Sequence, residues 1–339
     1  TTFEFLFWIA FFSPALPLTV GWILLLDPEN GLINSVFGTH FDIFTFWGIV
    51  WVHLTATTIP VAVILFTPAF RQMSAVLEDS ARMCGASALT TLRRITVPLL
   101  IPAIMPATAI MLIRSLEAFE IELLLGTPVD IFVYSTQIYD LIDESPPQYG
   151  MATALGTLFL FVVFVLAGLY LLCVRGRRFT TVSGQGFSLE RIKLGRWRSV
   201  ATVLCALYLF FSFGLSLAFL FLSSIMRRFG FFEIKDPFTL DHWKELLTDP
   251  ILLSSFKNSL ILGTSAAIIG VAVFSLIAYV VVRSQLAGRQ IIDMMAWMPW
   301  AIPGVLMGLA LLWLYLETPL RVVLYGSMTG LVLAMLVKE

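Results

Sequence analysis

Asp79-Ser80-Ala81, three further residues, Gly85, nine further residues and then Ile95-Thr96-Val97-Pro98 form a polar stretch between two long apolar segments, 43–66 and 98–124. That setting fixes the stretch at a membrane face. Leu77 to Cys84 is polar and built of good helix formers, which predicts a short helix. Gly85 then permits a backbone turn that other residues resist. A second short helix can run from Ala86 until Pro98 opens the next apolar segment, because proline is tolerated in a first turn, where its missing N–H has no partner to lose. Two short helices joined at a glycine would lie across the membrane face and present Glu78, Asp79 and Arg82 to a soluble partner. The small residues Ser80, Ala81, Ala86 and Ser87 would let that partner approach closely. A plain helix-turn-helix connector is the simpler reading of these elements alone, but the layout suits docking better than catalysis.

The rest of the chain sets the membrane context. Of its 339 residues, 59% are hydrophobic and 13% charged, whereas soluble globular domains carry roughly 25% charged residues. The net charge of −1 gives no global case for nucleic acid. Cys84, Cys173 and Cys205 have no CxxC spacing, so they read as small core residues rather than a disulfide framework. His40, His53 and His242 show no metal-ligand spacing, and no cofactor is expected in this chain. About eight apolar segments reach or approach the roughly 20 residues a spanning helix needs: 3–26, 43–66, 98–124, 150–174, 200–223, 258–282, 290–316 and 325–337. The expected fold class is therefore an all-α polytopic membrane protein.

Lys and Arg orient those spans through the positive-inside rule. The 67–97 loop holds Arg71, Arg82, Arg93 and Arg94, and the 175–199 segment holds Arg175, Arg177, Arg178, Arg191, Lys193, Arg196 and Arg198. Arg283 and Arg289 lie on the same side. The 27–42 and 125–149 loops carry acidic residues and no Lys or Arg. The 224–257 loop, with Arg227, Arg228, Lys235, Lys244 and Lys257, is the exception. One alternating topology satisfies the others and places 67–97 in the cytoplasm.

The chain also resembles itself at an offset of about 280 residues, as duplicated transporter halves do. Ser13-Pro14-Ala15-Leu16-Pro17 and its following apolar run match Pro299-Trp300-Ala301-Ile302-Pro303 and the run after it. This organises the chain as a first half over 1–174, a cytoplasmic linker over 175–199 and a second half over 200–339. With no initiator Met and an apolar run at its end, the chain is expected to be an interior piece of a longer protein.

Charged groups inside a span are costly and so are functional candidates by default. Arg114, Glu117, Glu120 and Glu122 cluster toward the outer end of the third span, where carboxylates could line a path or pair to fix packing. Glu120 and Glu122 cannot share a helical face, so both could face a path only if the helix ends before them. His53, among Thr55, Thr57 and Thr58, reads more readily as an interhelix hydrogen bonder than as a ligand. Pro98, Pro102 and Pro106, Pro14 with Pro17, and Pro299 with Pro303 predict interrupted helices. The amphipathic segment from Leu240 to Leu247 predicts an interfacial helix.

In spacing, the quoted stretch resembles the EAA loop of ABC importer permeases, with Asp79 for the motif's Glu, Ser80 for its Ala and Val97 for its Leu. The resemblance covers nearly the whole chain. Phe119-Glu120-Ile121-Glu122-Leu123-Leu124-Leu125-Gly126-Thr127-Pro128, Thr181-Val182-Ser183-Gly184, Leu194-Gly195-Arg196-Trp197-Arg198, Asn258-Ser259-Leu260-Ile261-Leu262-Gly263 and Trp297-Met298-Pro299-Trp300-Ala301-Ile302-Pro303-Gly304 resemble the ferric-iron importer permeases, a fused two-half type. Glu122 stands where that family has proline. The resemblance implies type I permease architecture with an EAA loop over 75–98. It makes Glu78, Asp79, Ser80, Ala81, Arg82, Gly85, Ala86, Ile95 and Pro98 the docking residues for an ATPase, with two ATPase subunits in the assembly. It also implies a periplasmic binding protein that delivers Fe³⁺ and a path lined by Glu117, Glu120, Glu122, Arg114 and His53. Permeases for thiamine, phosphonate or polyamine share these features. The chain has no G-x-x-x-x-G-K loop, so ATP chemistry is expected in a separate subunit. An ion-coupled secondary transporter would need the intramembrane carboxylates but no docking loop. A membrane enzyme would need a catalytic constellation, and no HExxH motif or nucleophile elbow is present.

Overall fold

The computed structural model describes residues 2–71, 75–174, 195, 197–229, 234, 236–302 and 304–338. Among them every long element is a helix, and the lone β-bridge joins Met226 to Phe238. Most of the 175–199 linker lies outside the described residues, as does Pro303.

Every expected span overlaps a helix or a helix pair, but not all eight reach spanning length. Four helices are long and apolar enough to span a bilayer, or up to six if each bent pair is one span. The first expected span is α1 (Thr2–Phe12) and α2 (Ala15–Leu26), bent by 95°. The cause is Pro14, which cannot donate to the preceding turn and whose ring crowds that turn's carbonyl. The second is α3 (Phe46–Arg71), which is continuous. Then follow α4 (Ala75–Met83), α5 (Ala88–Thr91), α6 (Val97–Leu116) and α7 (Glu120–Leu125). The expected third span is thus a pair, since α6 stops at Leu116 and α7 begins after Phe119.

Beyond these lie α8 (Tyr134–Asp143), α9 (Tyr149–Val174), α10 (Trp197–Ser224), α11 (Asp241–Thr248) and α12 (Pro250–Arg283). The expected seventh span divides into α13 (Arg289–Ala301) and α14 (Gly304–Glu317), and α15 (Met328–Lys338) ends the described chain. In α11, Leu240 at the cap, Trp243 and Leu247 are all exposed, as an interfacial helix requires.

Two prolines, Pro60 and Pro98, follow a widened turn. A π turn at Leu54–Thr58 within α3 precedes Pro60, and a π turn at Leu92–Thr96 leading into α6 precedes Pro98. In each the proline follows the π turn's last residue by two positions. A proline leaves the carbonyl of the preceding turn without its donor, and a wider i→i+5 turn relieves that crowding. The later part of α3 packs on α6, so the two π turns stand on paired helices. Arg71 at the end of α3 meets Glu4 on α1 at 2.5 Å, which ties the two spans antiparallel.

By packing, the chain forms two compact units, Thr1–Val133 with Ala167–Phe238, and Tyr134–Leu166 with Thr239–Glu339. The sequence halves are grouped by repeat and these units by contact, so the boundaries differ. In the first unit α10 lies against α2, where Ser216 Oγ donates to the Leu18 carbonyl at 2.7 Å. Gly21 is needed at that crossing, because a Cβ there would overlap the Ser216 backbone. The core of this unit joins Leu18, Trp22 and Leu25 of α2 to Ile49 and Val52 of α3 and to Ile121 and Leu125 of α7. In the second unit, Ile138, Leu141 and Ala152 pack with Val305 and Leu306.

Candidate docking element and intramembrane pair

The polar element 75–98 is a folded unit rather than a loose loop. Its first helix, α4, ends in a pair of backbone bonds: Ala86 N–H to the Ala81 carbonyl (3.0 Å) and Gly85 N–H to the Arg82 carbonyl (2.9 Å). That pattern is the Schellman cap, which places the residue at Gly85's position in the left-handed region. Gly85 adopts φ +84°, with nothing within 4 Å of where a Cβ would point. The requirement for glycine is therefore conformational and leaves open space outside the turn. Ser87 starts the next helix by accepting the Thr90 N–H on its Oγ at 3.3 Å. This cap satisfies an N–H that has no partner within the helix. After the π turn, Pro98 enters α6 in its first turn.

The expected docking residues divide into two sets. Asp79, Arg82, Gly85 and Pro98 are exposed, while Ser80, Ala81, Ala86 and Ile95 are half-buried. Glu78 does not reach the exposed face. It is 5% exposed, and its Oε1 accepts the Thr96 hydroxyl at 2.5 Å, with Thr96 itself buried. A carboxylate buried there is stabilised by a hydroxyl donor, so Glu78 closes the element on itself. The spacing on the sequence pointed to Glu78 as polar and helical but carried no sign of its partner eighteen residues on. What the element exposes instead is Asp79 and Arg82 together with large apolar side chains: Met83 is 83% exposed and Leu89 71%.

Of the candidate path residues, the structure brings two together. His53 Nδ1 lies 3.4 Å from Glu122 Oε1, with Glu122 buried to 6% exposure. The contact is within ion-pair range yet is not aligned as a hydrogen bond. Neither His53 Nδ1 nor Glu122 Oε2 has a hydrogen-bond partner among the described residues. His53 immediately precedes the π turn at Leu54–Thr58, and its carbonyl accepts the Thr57 hydroxyl at 2.7 Å. Glu122 sits in the first turn of α7, just past the break from α6. Both carboxylates of α7 belong to one helix, so the two-residue offset sends them apart, with Glu122 buried and Glu120 exposed. Arg114 is exposed near the end of α6, and Glu117 is its half-buried cap residue.

A cavity of about 700 Å³ opens among α2, α3 and α10, lined by Trp22, Thr45, Trp51, Tyr208 and Ser212 together with apolar residues. Neither His53 nor Glu122 lines it. No group of three or more His, Cys, Asp or Glu side chains among the described residues could hold a metal ion.

Residues 1–179 match the family described as binding-protein-dependent transport system inner membrane component. The chain is 24% identical over 331 residues to the ferric transport system permease protein FbpB of Actinobacillus pleuropneumoniae, covering 94% of this chain and 46% of that protein. It is 25% identical over 327 residues to a ferric transport system permease of Haemophilus influenzae, covering 93% of this chain and 50% of the relative. The diacetylchitobiose uptake system permease protein NgcF of Streptomyces coelicolor is 26% identical over 211 residues, covering 57% of this chain and 58% of that protein. The chain thus spans about half the length of the ferric permeases it matches. No solved structure matches it.

Proposed function

The chain belongs to the binding-protein-dependent transport system inner membrane components, which are permease subunits of ABC importers and not enzymes, and on that premise we propose that it forms part of the permease of an ATP-driven importer of ferric iron. A periplasmic binding protein delivers the substrate to the outer face. Two ATPase subunits drive the cycle from the cytoplasm, one of them seated on the element 75–98. The observation that carries the docking reading is the surface of that element, which exposes Asp79 and Arg82 together with Met83 and Leu89 on the two helices joined by the capped Gly85 turn. An exposed apolar patch rimmed by charge is the usual mark of a protein interface.

Iron is favoured by the names of the two relatives that align along almost the whole chain. Along the path we place Arg114, Glu117, Glu120, Glu122 and His53, because carboxylate oxygens suit a hard trivalent cation. A second substrate reading stands on the sugar-uptake relative, and the thiamine, phosphonate and polyamine permeases share the same architecture. Uptake of radiolabelled Fe³⁺ by cells carrying the full-length gene with its ATPase and binding protein tests both. ATP-dependent accumulation that fails with Gly85→Val establishes the importer and its substrate. A complex that hydrolyses ATP and accumulates no iron moves the substrate to another class. Unchanged uptake and ATPase association in Gly85→Val overturns the docking assignment.

A further inference from the structure

We propose that His53 and Glu122 are positioning residues for transport: their contact ties together the two arms that rise from the docking element, so that movement at the cytoplasmic face is transmitted to the far end of the first unit. The inference rests on the permease reading above and goes beyond it by assigning the pair a coupling role in addition to its place along the path.

The connectivity is the first support. One arm is α3, which runs from His53 through its π turn down to Arg71, beside the docking element. The other arm is α6, which leaves the docking element through the π turn at Leu92–Thr96 and breaks before α7, where Glu122 sits. The docking element links the arms at one end, with Glu78 bonded to Thr96 across it. His53 and Glu122 link them at the other, 69 residues apart in sequence and 3.4 Å apart in space. The two contacts close a ring of elements.

The second support is the character of the arms. Each carries a π turn two residues before a proline, a local departure from α-helical hydrogen bonding. Discontinuous helices and π turns concentrate at functional positions in membrane proteins. The third support is the geometry of the pair itself. A half-buried histidine and a buried carboxyl group stop short of a hydrogen bond, with His53 Nδ1 and Glu122 Oε2 otherwise unpartnered among the described residues. A purely structural pair gains most when it closes into a full hydrogen bond. A pair held just outside that geometry is made or broken by a small shift of either arm.

The test uses the full-length permease with its ATPase and binding protein in proteoliposomes and reads iron carried per ATP hydrolysed. Glu122→Gln and His53→Gln should each lower that ratio by about five-fold or more, the lower bound of a typical coupling between sites. ATPase co-purification and the unfolding temperature should stay near wild type. The double variant should be no worse than either single, and the exchange His53→Glu/Glu122→His should recover a large part of the ratio. An unchanged ratio in both singles overturns the proposal. So does a loss that follows failed assembly and is not recovered by the exchange, since that marks packing alone. A wild-type complex that hydrolyses ATP without carrying iron fails the substrate reading instead. The same variants are then scored on hydrolysis stimulated by the binding protein, where unchanged stimulation overturns the coupling role.

Discussion

The docking element and the His53–Glu122 pair sit on the same two helical arms and are built in opposite ways. The element 75–98 is local. Its turn, both caps and the Glu78–Thr96 bond all lie within one short stretch of chain, and each depends on a residue type suited to its position. The pair is nonlocal: beside the apolar packing of Ile121 and Leu125 on Ile49 and Val52, it adds a polar contact between two spans that is not a complete hydrogen bond. A rigid, self-contained element is what a partner needs to grip, whereas a marginal contact is what a moving part needs. On the proposed reading, the difference separates a surface that would receive force from a junction that would yield to it.

The largest effect that sharpens this comparison is truncation of the pair. Glu122→Ala removes the carboxyl group 3.4 Å from the half-buried His53, and breaking a buried pair costs on the order of 3–5 kcal/mol when both groups are fully desolvated. His53 is only partly buried, so about 3 kcal/mol is the expected upper end. Denaturant unfolding of the full permease in detergent measures it. His53→Ala/Glu122→Ala should cost clearly less than the sum of the singles, as contacting residues do. Strict additivity would break the comparison, because it would mean the two side chains do not sense each other.

Gly85→Val comes next. A β-branched residue at φ +84° is held in a sparsely populated region at a cost of about 1–3 kcal/mol. With open space around the site, that cost is paid by unwinding the turn and not by a clash. Membrane insertion should stay normal while ATPase co-purification falls. Gly85→Asn, which tolerates the left-handed region better, should fall between the two.

Thr96→Val removes the donor to Glu78 at nearly constant volume and leaves a buried carboxylate oxygen unsatisfied, a penalty of about 1–3 kcal/mol. The loss should be confined to the docking element, where hydrogen exchange over 75–98 should quicken while the α2–α3–α7 core keeps its protection. Uniform quickening across the core would show that the element is not self-contained.

How much of this was readable in the chain follows from the same contrast. The glycine turn, the proline-opened span and the polar face are set by residues within one or two turns of each other, and spacing alone conveys them. The inward turn of Glu78 escaped because helix polarity does not say which side chain finds a hydroxyl across a bend. The break between α6 and α7 was open in the sequence, since Glu120 and Glu122 fit a continuous helix or a broken one. The meeting of His53 with Glu122 could not be read at all. It depends on how α7 packs against α2 and the first turns of α3, a matter of Ile121 and Leu125 filling the core beside Ile49 and Val52. The packing of α10 on α2 was likewise invisible to a division by repeat. The pair of glycine and serine at Gly21 and Ser216 carries that contact, and small residues in apolar spans are too common to single out.

The smallest stability effect belongs to the exposed face and is the sharpest test of its purpose. Asp79 and Arg82 are both solvent-facing and lie one turn apart on α4. Replacing either by a neutral polar residue should move the unfolding free energy by no more than about 0.5 kcal/mol, as surface substitutions away from special features do. If the face receives an ATPase, Asp79→Asn and Arg82→Gln should nonetheless weaken co-purification, and more strongly at low salt than at high salt, because screening already erodes exposed charge contacts. Met83→Ser should weaken it with little salt dependence, since it removes apolar area and no charge. Stability held constant while association falls in two salt-distinguishable ways is the signature of an interface. If instead all three variants leave association unchanged, the element is a well-built connector, and what separates it from the His53–Glu122 junction is rigidity alone.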